Sequence, residues 1–383
     1  MNVTIVANDV GDVGGMELVL AQLVRGLVAS GDTVTVVART ASVPDSAHSF
    51  HRVRGPSRPF VIAYPWFALM ATFLVHRHRR GVVHAVGAIV FNRVDFVAIH
   101  FCHAAFGRQP GGATASRDNL LFKGHARAAR ALARFGERVC LTPRRVGAII
   151  AVSPGVATEV RELYPALADR VTVIANGVDR ERFSPASADE RLYARTRLGL
   201  DAGSPCALFV GGDWGRKGLA FAIRALAEVD SWHLVVAGRG DSTAYRQLAK
   251  AIGVVDRVHF LGTVPDTPPL YHAANVFLLP TAYETFSLVT YEAAASGLPL
   301  LATRVSGIVD ILVDGATGFT ITRSASEIAR RLQQIAAAPE VAEQLGAAAR
   351  LITADYTWQI MVDRHRALYQ AARGGPPGRP AIT

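Results

Sequence analysis

The sequence predicts an α/β chain built from two doubly wound parallel-sheet halves. The first observation is alternation: short apolar runs of strand length are separated by helical stretches through the first half. The second is that this alternation stops in a polar, proline-containing stretch and then starts again. The third is size: 383 residues, 50% of them hydrophobic, suffice for about two to three domains with cores of their own. Strands covered on both faces read as continuous apolar runs, which is the form found here.

The first strand is read at residues 3–7. A helix at 17–30 runs into Gly31, where a C-terminal glycine is expected. Strands follow at 33–38, 82–86, 95–99, 148–152 and 171–174, with a helix at 64–79. Residues 59–75 carry no charge and are followed by His76, Arg77, His78, Arg79 and Arg80. Two prolines near its start and a length short of the usual ~20 residues favour a buried or interfacial helix over a membrane span. Residues 184–205 are polar, with Pro185 and Pro205, and read as a linker after a first domain at 1–183. The second domain, 206–354, has strands at 206–211, 233–237, 257–261, 276–279 and 299–302. Its helices are read at 219–229, 244–252 and 287–296. The chain is then helical from 325 to 372, with breaks near Pro339 and Ala354. The helix at 355–372 is expected to pack back on the first domain, and residues 373–383, rich in proline and glycine, to form a flexible tail.

Composition excludes a disordered chain, a disulfide-stapled miniprotein and a fibrous repeat. The formal charge is +10, from 41 Lys+Arg against 31 Asp+Glu, and the only lysines are Lys123, Lys217 and Lys250. Arginine suits bidentate recognition of phosphate. On charge alone a generic basic surface, nucleic acid, anionic lipid and a phosphorylated substrate all stay open. Cys102, Cys140 and Cys206 form no CxxC pair, which argues against a disulfide framework and for a reducing cytoplasm. The N-terminus has no basic stretch ahead of its apolar run and reads as a strand rather than a signal peptide.

Two such halves are expected to enclose a cleft, with ligands outside the carboxyl ends of the strands. Four sites stand there. The loop of residues 8–17 places Gly11, Gly14 and Gly15 ahead of a helix; Gly14 and Gly15 give backbone N–H groups access to a phosphate, or simply form a tight turn. These glycines do not make GxGxxG, and no acid closes the second strand, against a nicotinamide dinucleotide. His100 ends a buried strand and points toward the expected cleft. With Cys102 and His103 it raises a metal, but no carboxylate completes a set, and a buried structural histidine is the other reading. In the third site a strand ends in Gly211 and Gly212, followed by Arg216 and Lys217, cations that neutralise a diphosphate or form a solvated helix start. It is not a P-loop, because Leu219 stands where Ser or Thr is needed. The fourth site is the most specific. Glu284 precedes a helix and Glu292 lies two turns inside it, with Thr285, Phe286, Ser287, Leu288 and Val289 between them. The first helical turn accepts an anion while the carboxylates take hydroxyls, a pattern that fits a sugar nucleotide.

Taken together these motifs resemble the retaining glycosyltransferases of family 4, also described as glycosyl transferases group 1, over residues 1–370. Gly14, Gly15, Met16 and Glu17 are similar to the family's N-terminal glycine motif. Ser153, Pro154 and Gly155, then Asn176, Gly177, Val178 and Asp179 with Phe183, are similar to its crossover into the second domain. Glu284 and Glu292 match its E-x7-E signature; Gly297, Leu298, Pro299 and Asp314, Gly315, Gly318, Phe319 match the continuation. The resemblance implies the GT-B fold, two Rossmann-like domains facing across a cleft. It also implies that Glu292 binds the donor ribose and that Ser287, Leu288 and Val289 offer backbone N–H groups to the diphosphate. Glu284 then holds the donor sugar, His100 contacts it near the anomeric centre, and Lys217 is the phosphate lysine. Many members carry arginine where Gly211 or Gly212 stands here, so Arg216 supplies the second cation. This form is nearest to the lipopolysaccharide-core branch.

The implied reaction moves a sugar from a nucleoside-diphosphate sugar, a UDP- or GDP-sugar, to an acceptor hydroxyl with retention, by a front-face mechanism. No Asp-x-Asp occurs, so no metal and no cofactor are expected. The acceptor is expected to be a cell-envelope, lipid-linked or small-molecule glycan. Residues 108–145 interleave Arg117, Lys123, Arg127, Arg130, Arg134 and Arg138 with Leu120, Leu121, Phe122, Leu132 and Phe135. This stretch either touches an anionic membrane or is a solvated helix packed on its domain. The competing readings are a GT-B epimerase or phosphorylase and a nucleic-acid-binding protein. A phosphorylase needs a pyridoxal lysine, for which three lysines leave little choice. No aromatic recognition strand or zinc motif supports nucleic acid, so none is expected as a partner. The protein is expected to be cytoplasmic, in peripheral contact with the membrane face.

Overall fold

The computed structural model describes residues 1–12, 14–43, 48–106 and 120–374. It divides into two units: Met1–Gly177 together with the chain from Trp358 onward, and Val178–Thr357.

Unit one contains β1 (Asn2–Val6), β2 (Asp9–Val10), α1 (Gly15–Ala29), β3 (Thr33–Ala38), β4 (Thr40–Ala41), β5 (His48–Arg52) and α2 (Phe60–His78). There follow β6 (Val82–Val86), β7 (Val94–Ile99), α3 (His103–Phe106), α4 (Leu120–Cys140), β8 (Val146–Ala151), α5 (Pro154–Leu163) and β9 (Val171–Val173). Seven strands form one parallel sheet in the order β5-β3-β1-β6-β7-β8-β9. The chain winds outward from β1 to β5 and then returns to β6, so the winding reverses between β1 and β6. Val3, Ile5, Val34 and Val36 are buried in its core with Leu20, Val24 and Leu27 of α1. α1 is closed by Gly31 at φ 79°, the left-handed position that favours glycine.

The strand β5 was not expected. His48, Ser49, Phe50, His51 and Arg52 form no apolar run, but β5 pairs on one side only, with β3, and an edge strand needs no burial on both faces. α2 is apolar all round. It turns Ala63, Phe67, Ala71 and Val75 inward and leaves Ile62, Trp66, Leu69 and Phe73 exposed. Among the described residues it is the one helix long and apolar enough to cross a membrane.

Unit two contains α6 (Ala188–Arg197), β10 (Cys206–Val210), α7 (Trp214–Lys217), α8 (Leu219–Ala225), β11 (His233–Ala237), α9 (Thr243–Ala251) and β12 (Val258–Gly262). It continues with α10 (Pro268–Ala273), β13 (Val276–Leu279), α11 (Leu288–Ala295), β14 (Leu300–Ala302), β15 (Gly318–Thr320), α12 (Ala325–Ala337) and α13 (Pro339–Ile352). Its parallel sheet runs β12-β11-β10-β13-β14-β15, so winding reverses between β10 and β13. After unit two, α14 (Trp358–Gly374) is part of unit one, and its Met361, Val362 and Tyr369 enter that unit's core.

Two expectations are corrected. Residues 184–205 are not a linker but part of unit two. Ser187 and Glu190 form a reciprocal capping box that starts α6. Arg195, 2% exposed, donates to the carbonyls of Asp201, Ser204 and Ala273 and so ties the following loop to α10. The boundary also falls earlier than 183, because Val178 and Phe183 are buried in unit two's core and Val178 N–H donates to Tyr356 O at 2.8 Å. Residues 375–383 of the expected tail and 108–119 of the basic stretch lie outside the described residues.

Candidate active site

In unit two, β10 and β13 pair directly at the reversal, with Ala207 opposite Val276 and Leu208 opposite Phe277. The loops leaving their carboxyl ends therefore meet where open α/β sheets take ligands. Ala282 N–H donates to Arg216 O at 2.9 Å and joins the two loops. Lys217 Nζ donates to Glu284 Oε1 at 2.8 Å, and Arg216 Nη1 donates to the same oxygen at 3.1 Å. Thr281 Oγ1 donates to it as well, at 3.3 Å. Lys217 and Glu284 are buried. Burial alone would push the Glu284 carboxyl up, but Lys217 and Arg216 outweigh it and hold the group below its usual value. Arg216 is raised in turn: burial opposes its charge, and Glu284 and Asp213 more than restore it.

The backbone explains why these side chains reach the same point. Asp213 sits in the left-handed region at φ 50°, a place aspartate tolerates, and accepts from Arg216 Nε at 2.9 Å. Trp214 Nε1 donates to Gly211 O at 2.8 Å and pins the turn. A Cβ on Gly211 would stand 2.6 Å from Lys217 Cε. Glycine at 211 is thus the room through which the lysine stem passes.

α11 begins after Ser287, and the amides of its first turn, Leu288 and Val289, have no acceptor within the helix. Thr290 Oγ1 donates to Ser287 Oγ at 2.7 Å, and the Phe286 ring stacks on Tyr291 with centroids 4.2 Å apart. Two turns along, Glu292 Oε2 accepts from Tyr271 OH at 2.6 Å. Burial raises the Glu292 carboxyl, and Tyr271 and Arg182 offset this only in part.

In unit one, α1 begins at Gly15 and Gly14 lies ahead of it at φ 103°. The Glu17 carboxylate packs where a side chain on Gly14 would be, so this helix start faces a carboxylate of its own. His100 follows β7 above a closed core that includes His84 of β6 and His365 of α14. Burial, aided by the charge of His365, pushes His100 down to about 4. His365 is likewise pushed down to about 4, by burial against a bond from its ring to Met361 O. Among the described residues no three His, Cys, Asp or Glu side chains gather as a metal set.

Two family models divide the chain between them. Glycosyltransferase Family 4 matches residues 13–182 and Glycosyl transferases group 1 matches residues 204–338. The chain belongs to these glycosyltransferases. It is 26% identical over 398 residues to the D-inositol 3-phosphate glycosyltransferase of Corynebacterium diphtheriae, covering 94% of this chain and 90% of that one. The fold is GT-B. WaaG, a glycosyltransferase involved in lipopolysaccharide biosynthesis, superposes with a TM-score of 0.81 at 20% identity, covering 97% of this chain and 100% of that one. Alr3699/HepE of Anabaena, solved in complex with UDP-glucose, gives 0.74 at 17% identity, covering 96% and 98%.

The glycosyltransferase brings Arg216, Lys217 and Glu284 into one hydrogen-bonded group, with Ser287, Leu288, Val289 and Glu292 on the adjoining helix. Gly14, Gly15 and His100 belong to the other unit. Two residues at the site were missed from the sequence. Tyr271 orients Glu292 from a short helix that carries no motif spacing. Asp213 was visible only as an acid between the glycines and Arg216, a signal that did not reveal its bond to the arginine.

Proposed function

We propose that this glycosyltransferase moves a sugar from a UDP- or GDP-sugar to an acceptor hydroxyl with retention of configuration, using neither metal nor cofactor. The observation that carries the reading is the Arg216–Lys217–Glu284 group beside the open first turn of α11. The leaving diphosphate gains charge as the bond to the sugar breaks. Arg216, Lys217 and the amides of Leu288 and Val289 stabilise that charge, the usual source of electrostatic catalysis. Glu284 holds both cations through Oε1, while Oε2 makes no hydrogen bond among the described residues and is the atom for a sugar hydroxyl. Glu292, fixed by Tyr271, takes the ribose. In a front-face transfer the departing phosphate oxygen receives the acceptor proton, so no protein base is needed. A His100 held down to about 4 is neutral at pH 7, which suits a hydrogen-bonding role at the sugar rather than an acid role.

The acceptor is a cell-envelope, lipid-linked or small-molecule glycan, and the enzyme works in the cytoplasm against an anionic membrane face. The exposed row Ile62, Trp66, Leu69 and Phe73 on α2, beside exposed Arg77, Arg79 and Arg80, supports the membrane contact.

The test is a panel of UDP-, GDP- and ADP-sugars without acceptor, followed by slow release of nucleoside diphosphate with EDTA present. Release from one donor, unaffected by EDTA and lost in Glu292→Ala, is the expected result. If no nucleotide sugar is hydrolysed and none raises the melting temperature, the donor site is wrongly assigned.

A further inference from the structure

Unit one carries a cavity of about 600 Å³ that the donor reading does not use. It is lined by Asp9, Arg39, Thr40, Arg52, Arg54 and Ser57, among others. All lie at or just beyond the carboxyl ends of β1, β3 and β5, the edge at which doubly wound sheets hold ligands. Its volume is in the range of small-molecule sites, roughly 300–1,000 Å³.

Its charges are unbalanced. Among the described residues Asp9 is the one acid in the lining, and it is already engaged: Oδ2 takes Arg39 Nη2 and Oδ1 takes Thr40 Oγ1 at 2.7 Å. Arg39 Nε is buried and has no hydrogen-bond partner among the described residues, which leaves its desolvation without an offset there. Among the described residues the guanidinium groups of Arg52 and Arg54 make no hydrogen bond or ion pair with a side chain. Register places them together. Arg52 lies opposite Ala38 on β3, directly before Arg39, and Val53 N–H donates to Ala38 O at 2.8 Å. Arg54 is held by its carbonyl, which accepts from Trp66 Nε1 at 2.9 Å, and Gly55 lets that indole close against the chain.

We propose that this cavity binds the phosphate of a phosphorylated acceptor. Three guanidinium forks meet one neutralised acid, and their planar donor pairs match phosphate oxygens. The Ser57 and Thr40 hydroxyls and the Asp9 carboxylate beside them suit the hydroxyls of a sugar or polyol that carries the phosphate. The assignment of that ligand as acceptor rests on the transferase reading; the binding itself does not. A free sugar phosphate and the phosphate of a lipid-linked glycan offer the same chemistry.

The experiment is calorimetric titration of the full chain at low salt. The probes are a hexose 6-phosphate, the same hexose without phosphate, and a short-chain isoprenyl phosphate in neutral detergent. Each is measured on wild type and on Arg52→Gln/Arg54→Gln, whose side chains are exposed, with unfolding curves to show that the variant folds. A phosphate-dependent affinity that falls at least tenfold in the variant is expected. Binding of the hexose phosphate assigns a free source, and binding of the isoprenyl phosphate alone assigns a lipid source. The proposal is overturned if neither phosphate binds, or if both bind the variant as tightly as wild type. A UDP-hexose titrated in parallel separates the two readings: its failure to bind removes the donor site and leaves the phosphate result standing.

Discussion

Glu284 is the point at which two cations converge, and its loss leaves Lys217 inside the protein without its counterion. Lys217 and Glu284 expose 9% and 10% of their side chains, so water compensates little. Removing one partner of such a pair costs roughly 3 kcal/mol or more. Glu284→Leu is therefore expected to lower unfolding stability by about that amount, whereas Lys217→Met, which leaves Glu284 with Arg216 and Thr281, costs less. Urea unfolding of both variants decides the matter, and a Glu284→Leu protein as stable as wild type would sink the convergent arrangement. Much of this site was legible in sequence. The E-x7-E spacing, the Arg-Lys pair and the glycines before it depend on neighbours in the chain, which a sequence displays. Tyr271 was not legible, because its 2.6 Å bond to Glu292 joins residues 21 positions apart that only the sheet order brings together. The reason for Gly211 was hidden similarly, since the space it leaves is needed by a lysine stem in the following turn.

At the scale of elements, α14 is what unit one borrows from the end of the chain. Asp32 accepts from the Met1 amino group at 2.6 Å and from Arg366 Nε of α14 at 2.8 Å. Burial works against the Asp32 charge, but the amino group and Arg366 prevail and hold the carboxyl below its usual value. Gly26 of α1 lies against Val362 of α14, with no room for a Cβ. A chain ending at Thr357 is thus expected to lose the cooperative unfolding of unit one and keep that of unit two; an unchanged two-unit melting curve would contradict it. The same helix brings His365 to His84, with ring centroids 5.7 Å apart, beneath His100. Burial lowers all three histidines, two of them to about 4, so the folded chain takes up their protons later than the unfolded chain does. Between the ordinary histidine value near 6.5 and about 4, the unfolded state binds more protons, and stability must fall as pH falls through that window. His365→Gln is expected to flatten the slope of stability against pH there, and an unaltered slope would remove His365 from the account. Sequence periodicity gave most strands, but it misread residues 184–205 and left α5, α10, β5 and β15 unread. The 184–205 segment looked like a linker because its tie is a buried arginine satisfied by carbonyls, and β5 went unread because a polar edge strand shows no apolar run.

For the whole molecule, both sheets could be foreseen because repeated apolar runs encode them, while the use of the outer surface could not. The chain holds +10 formal charge, and between Asp45 and Asp95 it has no acid but carries Arg52, Arg54, Arg58, Arg77, Arg79, Arg80 and Arg93. Within this acid-free stretch α2 exposes Ile62, Trp66, Leu69 and Phe73 at successive turns, with exposures of 56%, 47%, 63% and 56%. A helix that is apolar all round yet half covered calls for a second apolar phase on its open side. Unbalanced arginine beside it selects an anionic one, since each basic residue near a negatively charged leaflet adds about 1 kcal/mol. The enzyme is therefore expected to sediment with phosphatidylglycerol-rich vesicles at low salt and to be released by high salt, and to ignore phosphatidylcholine vesicles. Leu69→Asp/Phe73→Asp should abolish sedimentation without lowering the melting temperature, because neither side chain belongs to the core. On binding, Trp66 leaves water, so its emission should shift to the blue, a signal that Trp66→Phe removes while Trp214 and Trp232 stay buried. A wild-type protein that forms a concentration-dependent dimer, which Leu69→Asp/Phe73→Asp dissociates, and that leaves the vesicles in the supernatant would mean that a second copy covers the row instead of a membrane.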